Sequence, residues 1–363
     1  MARIAVAMSG GVDSSVTAAL LRGAGHEVLG FTLRLGSADG DWQATRACCG
    51  LTEVHDARRV ADRLDIPHYV LNHAAAFEAT VIADFLDEYA AGRTPNPCIR
   101  CNQYIKFAAF LDHARALGCE AVATGHYARL DQAPDGRRRL RRGIDATKDQ
   151  SYVLHTLTQD QLAASLLPLG ELTKTRVRAL AMEMGLATAA KPDSQEICFV
   201  EGRPGDFVAR LRPAAVRPGP IVDAAGTVLG RHRGLPYYTV GQRRGLGLGG
   251  DEPLFVSELR AADNTLVVAP AADAGRRAMV VEGLNWVSRP EPRAGDGLDG
   301  WVQVRYRMKP EPGRLTALGP GRGAIDLAQP VLGVAPGQSA VVYDDQGYVL
   351  AGGVIAGTEN LAA

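Results

Sequence analysis

The chain has 363 residues, of which 46% are hydrophobic and 22% are charged, the composition of an ordinary globular protein of two or three domains. No apolar run approaches the ~18 residues of a membrane-spanning helix, and the apolar start is too short for a secretory signal. We therefore expect a cytoplasmic protein without membrane contact. Because forty basic and forty acidic residues cancel, any nucleic-acid partner must be held by local basic patches and not by overall charge.

The first element is a short apolar strand, and a turn rich in glycine and serine follows it directly. This turn reads Ala7-Met8-Ser9-Gly10-Gly11-Val12-Asp13-Ser14-Ser15. Glycines allow positive φ and a close approach of the backbone, while hydroxyls and the amides of the next helix face an anion. Asp13 can hold a magnesium ion against phosphates. A plain strand-to-helix turn needs neither three hydroxyls nor an acid, so the segment predicts a pyrophosphate-binding loop.

The spacing of this loop fits neither a Walker A motif nor a dinucleotide-binding fingerprint. It resembles the loop of the PP-loop ATP pyrophosphatases, which split ATP between its α and β phosphates to adenylate a carbonyl oxygen. The resemblance implies ATP and Mg²⁺ as cofactors and a catalytic role for Asp13. The implied ATP-binding residues of the loop are Ala7, Met8, Ser9, Gly10, Gly11, Val12, Asp13 and Ser14. Substrates differ widely among these enzymes, so the loop predicts the chemistry better than the substrate.

The first third of the chain alternates apolar runs with segments of helical period. The strand-like runs are residues 4–7, 28–33, 68–71 and 121–124, and the clearest helical pattern is 52–64. Right-handed crossovers then require a parallel sheet, and ligands of such sheets bind at the carboxyl ends of the strands. Leu33 and Gly125 follow or end two of these strands, so we add them to the predicted ATP-binding residues. Either could equally be an ordinary strand-end residue.

The character of the sequence changes near residue 203. Before it, helical pattern continues through 150–166 and 173–184, and an arginine-rich loop is predicted at 134–142. Beyond it, short β-type runs, including 237–240 and 301–308, are separated by glycine, proline and Asp-Asn turns. We predict an α/β fold in three parts. These are an N-terminal parallel-sheet PP-loop domain at 1–203, a small β-rich central domain at 204–273 and a C-terminal β-barrel at 274–363.

A second motif, Gly-Arg-Thr-Pro-Asn-Pro-Cys-Ile-Arg-Cys-Asn at residues 92–102, predicts a rigid loop followed by a helix at 103–117. Cys101 would lie next to the N-terminus of that helix. There the macrodipole and free amides favour a thiolate and lower the pKa below the ~8.5 of an ordinary thiol. This placement predicts a nucleophile, with an incidental surface cysteine as the alternative. The Cys-x-x-Cys spacing alone is weaker evidence, because redox pairs, zinc sites and cluster ligands share it.

Further segments, spread over the whole chain, carry a resemblance to one known family. They are the motif and helix at 96–107, Thr-Gly-His-Tyr-Ala-Arg at 124–129, Lys-Asp-Gln-Ser-Tyr at 148–152, Asp-Ser-Gln-Glu-Ile-Cys-Phe at 193–199, Gly-Gln-Arg-Arg-Gly at 241–245 and Val-Arg-Tyr-Arg at 304–307. Together they resemble the bacterial tRNA-specific 2-thiouridylases, the MnmA family. Rival PP-loop families share the first motif but lack the Pro-Asn-Pro loop, the Lys-Asp-Gln segment and the distant second cysteine.

The resemblance implies a transferase that thiolates the wobble uridine of tRNAs for Lys, Glu and Gln. ATP would adenylate O2 of the base and so turn a poor leaving oxygen into AMP. Sulfur would arrive as a persulfide on Cys198, passed from a cysteine desulfurase directly or through relay proteins. Cys101 would be the second catalytic thiol, which either attacks the activated carbon or forms a disulfide with Cys198 that frees the sulfur.

The same resemblance implies a set of tRNA contacts. The matching positions are Asn96, Pro97, Cys98, His126, Lys148, Asp149, Gln150, Arg305, Tyr306 and Gln338. The first three would face the flipped base, and Gln338 would lie near it. Hydrogen bonds and aromatic stacking suit recognition of an unstacked base, and Tyr306 is suitable for stacking. Without the resemblance, a lone Lys or Arg on a strand is usually only solvated.

The cysteines leave a second sulfur route open. Many relatives carry an acid where this chain has Cys98, so Cys98, Cys101 and Cys198 could instead hold a [4Fe-4S] cluster with one open iron that carries sulfide. No metal site is certain. We favour packing or incidental roles for the remaining cysteines, which are Cys48, Cys49 and Cys119.

Two other functions compete with this interpretation. One is another ATP-dependent RNA sulfurtransferase of the PP-loop class, acting at a different base or position. The other is a non-catalytic nucleotide sensor or RNA-binding protein in which the loop merely holds ATP. Cys101 and Cys198 argue against a sensor, which has no use for two thiols in glycine- or proline-bordered loops.

Overall fold

The computed structural model describes residues 1–36, 51–193, 197–250 and 252–358. Its α-helices are α1 (Val12–Gly23), α2 (Leu51–Leu64), α3 (Ala74–Phe77), α4 (Ala83–Ala90), α5 (Pro97–Arg100), α6 (Phe110–Ala116), α7 (Gln159–Ala163), α8 (Lys174–Glu183), α9 (Pro204–Leu211) and α10 (Ala271–Ala274). Two π-helical segments, Glu78–Ile82 and Cys101–Ala109, connect α3 to α4 and α5 to α6. Cys48 and Cys49 lie outside the described residues, as do positions 194–196 of the motif that contains Cys198.

The strands form separate sheets along the chain. They are β1 (Arg3–Ala7), β2 (Glu27–Arg34), β3 (His68–Asn72), β4 (Ala121–Ala123), β5 (Ala128–Gln132), β6 (Arg138–Arg142), β7 (Ser165–Leu166), β8 (Gly219–Val222), β9 (Val228–His232), β10 (Leu254–Arg260), β11 (Thr265–Pro270), β12 (Arg276–Trp286), β13 (Gly297–Gln303), β14 (Glu311–Gly319), β15 (Arg322–Val331), β16 (Ser339–Tyr343) and β17 (Val349–Gly357). This order confirms the predicted α/β class with a β-rich second half.

The N-terminal sheet is parallel throughout, in the strand order β3-β2-β1-β4-β7. Alternate residues of β1 point to opposite faces, as the period of a strand requires. Ala5 packs with the helices that include Cys101–Ala109, whereas Ile4 and Val6 pack with α1, α2 and α8. Both faces are therefore covered by helices, and the free carboxyl ends of the strands remain as the place for a ligand.

The second half of the chain holds two β units. The smaller has the strand order β10-β11-β8-β9, and the larger is a closed antiparallel barrel in the order β12-β15-β14-β13-β16-β17. Met279, Leu315 and Ile325 are buried in the barrel core. The strand predicted at 301–308 ends at Gln303, and the run predicted at 237–240 begins as a 3-10 turn at Leu235–Tyr237. Part of the helix predicted at 150–166 is instead a 3-10 turn and the short strand β7.

The helix predicted at 103–117 begins six residues earlier than expected. Pro97 occupies the first helical position, where its missing N–H costs nothing, and the Asn96 side chain accepts a hydrogen bond from the Cys98 amide at 3.2 Å. The Pro-Asn-Pro segment is therefore a helix start and not only a stiff loop. Cys101 lies one turn inside the helix and is 8% exposed, so its predicted place at the helix N-terminus is wrong. Cys98 takes that place.

The arginine-rich segment is also different from its prediction. It forms part of the antiparallel hairpin β5–β6, and arginine side chains of this hairpin bind other groups of the protein. Arg139 pairs with Asp131 at 2.7 Å, and its guanidinium lies 4.2 Å from the ring centre of Tyr348, next to β17. The hairpin therefore attaches the N-terminal unit to the barrel.

The segment around His155 forms a second attachment to the barrel. His155 Nε2 lies 3.0 Å from Ser339 Oγ in β16, and the Tyr152 hydroxyl donates to the Ser339 carbonyl at 2.7 Å. Asn285 in β12 donates to the His155 carbonyl at 2.7 Å. Burial lowers the pKa of His155 to about 4, because a charged imidazole would lose its hydration there.

This buried histidine predicts acid sensitivity of the fold. The pKa of His155 lies below the usual 6.5, so the unfolded chain takes up the proton first as the pH falls. The neutral ring then contributes its full stability above pH 6.5 and loses it towards pH 4, a change of a few kcal/mol. We expect His155→Gln to flatten this decline in the free energy of unfolding, measured by denaturant titration at several pH values.

The control for that experiment is His55→Gln, since His55 is exposed on α2. It should reproduce the wild-type decline. Equal slopes for the wild type and His155→Gln would show that this imidazole is not the group that titrates.

Candidate active site

The turn between β1 and α1 has a backbone that only glycine allows at its centre. Gly10 has a φ of +68°, and a Cβ atom there would collide with the backbone of Glu53 in α2. Gly11 is the N-cap of α1 and offers no side-chain cap to the first amides of the helix. These amides are left to bind something else, as in other anion sites at helix starts.

The serines of the turn hold it in shape. Ser14 Oγ accepts from the Ser9 amide at 3.1 Å and donates to the Gly11 carbonyl at 3.1 Å, while Ser15 Oγ donates to the same carbonyl at 2.8 Å. The turn is therefore pre-organised before any ligand arrives. Thr32 Oγ1 in β2 adds a hydrogen bond to the Met8 carbonyl at 2.8 Å.

A cavity of about 190 Å³ lies at the carboxyl ends of β1, β2 and β4. The predicted ATP-binding residues that line it are Ala7, Met8, Ser9, Asp13, Ser14, Leu33 and Gly125. The backbone at Gly10, Gly11 and Val12 shapes the turn, but these residues are not in the lining. Two predicted tRNA-contacting residues, His126 and Gln150, share the same cavity. Predicted ATP-binding residues and predicted tRNA-contacting residues therefore line the same cavity.

Gly125 lies close against the start of α1 at the edge of this cavity. A Cβ atom on Gly125 would lie 2.9 Å from the backbone carbon of Asp13. Any side chain there would push the strand end away from the start of α1. Next to it, Thr124 Oγ1 lies 2.7 Å from His126 Nδ1. Burial, with a smaller effect of the Lys106 charge, keeps the pKa of His126 well below its usual value, so the ring is neutral.

The carboxylate of Asp13 is held by partners that the sequence did not indicate. Lys174 Nζ donates to both of its oxygens, at 2.7 and 2.8 Å, and the Tyr127 hydroxyl donates to Oδ1 at 2.7 Å. Burial and then the Asp13 charge raise the pKa of Tyr127, so this phenol stays a donor. Since a lysine occupies both oxygens, Asp13 as arranged does not fit the Mg²⁺ ligand that the loop motif suggested.

Asp193 is the centre of an ion-pair group close to Asp13. Its oxygens lie 2.8 Å each from Lys174 Nζ, Lys148 Nζ and Arg178 Nη2. Burial acts to raise the pKa of Asp193, but the hydrogen bonds from the two lysines lower it to about 2. Lys148, predicted to contact tRNA, is therefore engaged in this structure with a carboxylate five residues before Cys198.

The neighbours of Lys148 also have internal partners. Asp149 accepts from the Gly143 and Ser151 amides at 3.0 and 3.1 Å, and Gln150 Oε1 accepts from the Tyr127 amide at 3.0 Å. Gln150 still lines the cavity. The Asp149 carboxylate stabilises the turn that presents Lys148 and Gln150.

The remaining predicted RNA contacts come from the barrel. Arg305 Nη2 donates to the Val240 carbonyl of the central unit at 2.6 Å, and Tyr306 lies 6.1 Å from the Tyr152 ring. Gln338 Nε2 donates to the Thr94 carbonyl at 2.7 Å. The barrel therefore holds the segment that leads into the Asn96 helix cap. Arg305 is mostly buried, and this burial lowers its pKa.

The three cysteines of interest differ in exposure. Cys98 is exposed, Cys101 is buried, and Cys198 is half-buried against the same apolar cluster that contains Cys101. Among the described residues, no group of three or more His, Cys, Asp or Glu side chains is arranged to hold a metal ion. The part of the chain that the structure describes therefore does not bring Cys98, Cys101 and Cys198 together as ligands of a metal ion.

The π-helical segment Cys101–Ala109 connects the thiol to the cavity. Residues five apart in such a helix are joined by its hydrogen-bond pattern and lie on one face, so Cys101 and Lys106 share a face. Lys106 lines the cavity. In an ordinary α-helix a residue five positions on would be turned by about 140°. Sequence reasoning missed Lys106, because a lysine between apolar neighbours reads as the polar side of a helix.

Three family models match consecutive parts of the chain. Residues 2–202 match the model described as a tRNA methyl transferase HUP domain, 205–270 a tRNA methyl transferase PRC-barrel domain, and 276–355 an aminomethyltransferase beta-barrel domain. A solved complex of a 4-thiouridine synthetase with RNA and bound ATP has a TM-score of 0.34 and 15% identity over 55% of this chain and 45% of that one. This likeness is too low to assign a function.

Curated relatives are much closer. A protein of Methylobacterium radiotolerans is 47% identical over 99% of this chain and 95% of its own length, and one of Chloroflexus aurantiacus is 48% identical over 99% of each. One of Rhodospirillum rubrum is 48% identical over 97% of this chain and 96% of its own length. All three bear the name tRNA-specific 2-thiouridylase MnmA. Together with the parallel sheet and its glycine turn, these relatives identify a transferase with a PP-loop ATP-binding fold. The chain belongs to the family of tRNA-specific 2-thiouridylases.

The turn geometry predicts which glycine the site requires. Gly10→Ala should abolish binding of a non-hydrolysable ATP analogue, because the new methyl group collides with the α2 backbone and displaces the turn. Gly25→Ala is the matched control, since Gly25 has a φ of +83° but open space around it. It should cost about 1 kcal/mol in unfolding free energy and leave binding unchanged. Calorimetric titration and thermal unfolding measure both effects, and equal binding by the two variants would contradict the prediction.

Proposed function

We propose that this protein is an ATP-dependent tRNA-uridine 2-sulfurtransferase. ATP adenylates O2 of the wobble uridine in tRNAs for Lys, Glu and Gln, and sulfur from a cysteine persulfide replaces the activated oxygen to give 2-thiouridine, AMP and pyrophosphate. The observation that carries the proposal is the shared cavity. Its walls combine the phosphate-type turn with His126 and Gln150, and the Cys101 helix contributes Lys106.

The adenylation step uses groups already in position. The amides at the start of α1 and the turn backbone bind the phosphates, and Lys106 supplies positive charge where the negative charge of the transferred α-phosphate accumulates. His126 is buried and neutral, so it acts on the nucleobase or sugar as a hydrogen-bond partner and not as a cation. Mg²⁺ enters only as a counter-ion of the phosphates.

The sulfur step uses Cys198 and Cys101. The terminal sulfur of a Cys198 persulfide attacks C2 of the adenylated uridine and expels AMP, which leaves the base joined to Cys198 through a disulfide. The Cys101 thiolate then attacks the Cys198 sulfur, so a Cys101–Cys198 disulfide forms and the base keeps its sulfur as C=S. An external thiol reductant restores both cysteines. Their packing against one apolar cluster supports this pairing.

The partners follow from this chemistry. The proposed tRNA contacts are those inferred from the family resemblance, and the persulfide comes from a cysteine desulfurase or a sulfur-relay protein. A tRNA substrate implies that the reaction takes place in the cytoplasm. Among the described residues, no helix is both long and apolar enough to cross a membrane. The cluster route is the weaker alternative, since the described thiols do not form a metal-binding group.

The first test measures products. The chain is incubated with ATP, a lysine tRNA transcript and a persulfide-loaded desulfurase, and AMP, pyrophosphate and 2-thiouridine are quantified. All three should form only when tRNA is present. Asp13→Ala should abolish AMP formation and leave tRNA affinity nearly unchanged, because it removes the carboxylate that joins the start of α1 to Lys174 and Tyr127 on the phosphate side of the cavity. A methyl transferase or a nucleotide sensor would release neither AMP nor pyrophosphate, and that result would refute the proposal.

The second test addresses the thiols. Cys101→Ser and Cys198→Ser should each eliminate 2-thiouridine, since a hydroxyl neither carries a persulfide nor ionises near neutral pH. Labelled sulfur should still load onto Cys101→Ser and not onto Cys198→Ser. Cys119→Ser is the control, because Cys119 is buried beside β4 and has no proposed role. Loss of iron and labile sulfide together with activity in anaerobically purified Cys98→Asp would instead favour the cluster route.

A further inference from the structure

Lys174 is a buried cation that no part of the sequence reasoning singled out. Its side chain is only 10% exposed, and its ammonium contacts Asp13 Oδ1 and Oδ2 and Asp193 Oδ1, all within 2.8 Å. The ring of Tyr127 lies 5.8 Å from Nζ. A lysine this deep in a protein is stable only when charges and hydrogen bonds compensate its lost hydration, and the two carboxylates do so here.

The local position of Lys174 is unfavourable for a cation. It is the first residue of α8, where the helix dipole favours acids, and the first turn of α8 contains no acid. The backbone there is nevertheless fixed twice. Thr173 caps the helix through the Arg176 amide, and the Lys174 amide donates to Asp145 Oδ2 at 2.9 Å. The chain thus holds a lysine rigidly where local rules disfavour it, which is typical of a functional constraint.

We infer that Lys174 is a positioning residue of the nucleotide site, and that it allows an acid to stand beside a polyphosphate. Asp13 lines the cavity, and an unpaired carboxylate there would repel the phosphates of ATP. The Lys174 ammonium, which is not part of the cavity wall, neutralises the Asp13 carboxylate and fixes its orientation. The inference rests on the proposed function in that the ligand is taken to be a nucleoside triphosphate.

The bridge also explains why Asp13 does not present a metal site. With Lys174 on both oxygens, the cation partner of Asp13 is an ammonium group that the chain itself supplies. Asp193 keeps Lys174 in place from the other side, and Lys148 and Arg178 in turn hold Asp193. Lys174 acts on the nucleotide through Asp13, since it is not itself part of the cavity wall.

The experiment is a double-mutant cycle read by binding of α,β-methylene-ATP in magnesium-containing buffer. Lys174→Met should weaken binding at least about tenfold, because it leaves a carboxylate unpaired beside the phosphates. Lys174→Arg, which keeps the charge, should lose much less. The decisive variant is Asp13→Asn combined with Lys174→Met, which should bind the analogue more tightly than Lys174→Met alone, because the repelling charge is gone. A purely structural role of Lys174 would instead lower the free energy of unfolding of Lys174→Met, measured by denaturant titration, and leave wild-type affinity in the folded fraction.

Lys191→Met is the matched control. Lys191 also bridges two carboxylates, with Nζ 2.7 Å from Asp56 and 3.7 Å from Glu53, but it lies outside the cavity. It should bind the analogue like the wild type. If Lys174→Met does not fold, Lys174→Gln and its combination with Asp13→Asn give the same comparison. Wild-type binding by Lys174→Met or Lys174→Gln, or a double variant no better than the single one, would overturn the inference.

The two proposals fail in different ways. If the wild-type chain does not bind the analogue at all, the proposed function fails. If the wild type binds and the recovery in the double variant is absent, only the role of Lys174 fails.

Discussion

The contact on which the candidate site most depends is the Lys174 ammonium between Asp13 and Asp193. It joins three parts of the chain that are distant in sequence: the turn after β1, the start of α8 and the segment that leads to Cys198. Lys148 extends the same group towards the segment of the predicted RNA contacts. Where the dielectric is low, separating these opposite charges costs much free energy. The elements that carry them are therefore held in one arrangement. The phosphate turn and Asp193, five positions before Cys198, therefore share a common support.

The barrel contributes to this site from a distance. Gln338 binds the Thr94 carbonyl just before the cap of α5, and Tyr152 and His155 insert their polar atoms against Ser339. The contacts of Tyr152 and His155 with Ser339 cross more than 180 residues of sequence and are buried. The helix with Cys98 and Cys101 is thus positioned by two units and not by the parallel sheet alone. A barrel variant that disturbs these contacts would alter the site without touching the cavity.

Local signals explain which parts of the fold could be predicted from the sequence. The β1 strand, its glycine turn and α1 form one continuous local pattern, and the apolar alternation of β12 and β15–β17 is equally local.

The helix at Pro97 was missed because proline reads as a breaker unless its place at a helix start is recognised. The strand Arg138–Arg142 was missed because Arg139 is bound by Asp131 and Tyr348, and no local pattern reveals the Tyr348 partner. Lys174 pairs with an acid 161 positions away, so only the folded chain brings the two together. The candidate site was thus foreseen where the turn motif alone sufficed and missed where long-range ion pairs complete it.

The π-helical segment Cys101–Ala109 sets the angle between two functional side chains through the width of its turn. Such a segment is equivalent to an α-helix with one extra residue accommodated in its turn. Substitutions on its outer side, for example at the exposed Tyr104, leave the alignment of Cys101 with Lys106 intact. In an ordinary α-helix of the same length, Lys106 would instead be turned by about 140° from Cys101 and away from that face. The wider turn of this segment therefore keeps Cys101 on the same helix face as Lys106, the residue that lines the cavity.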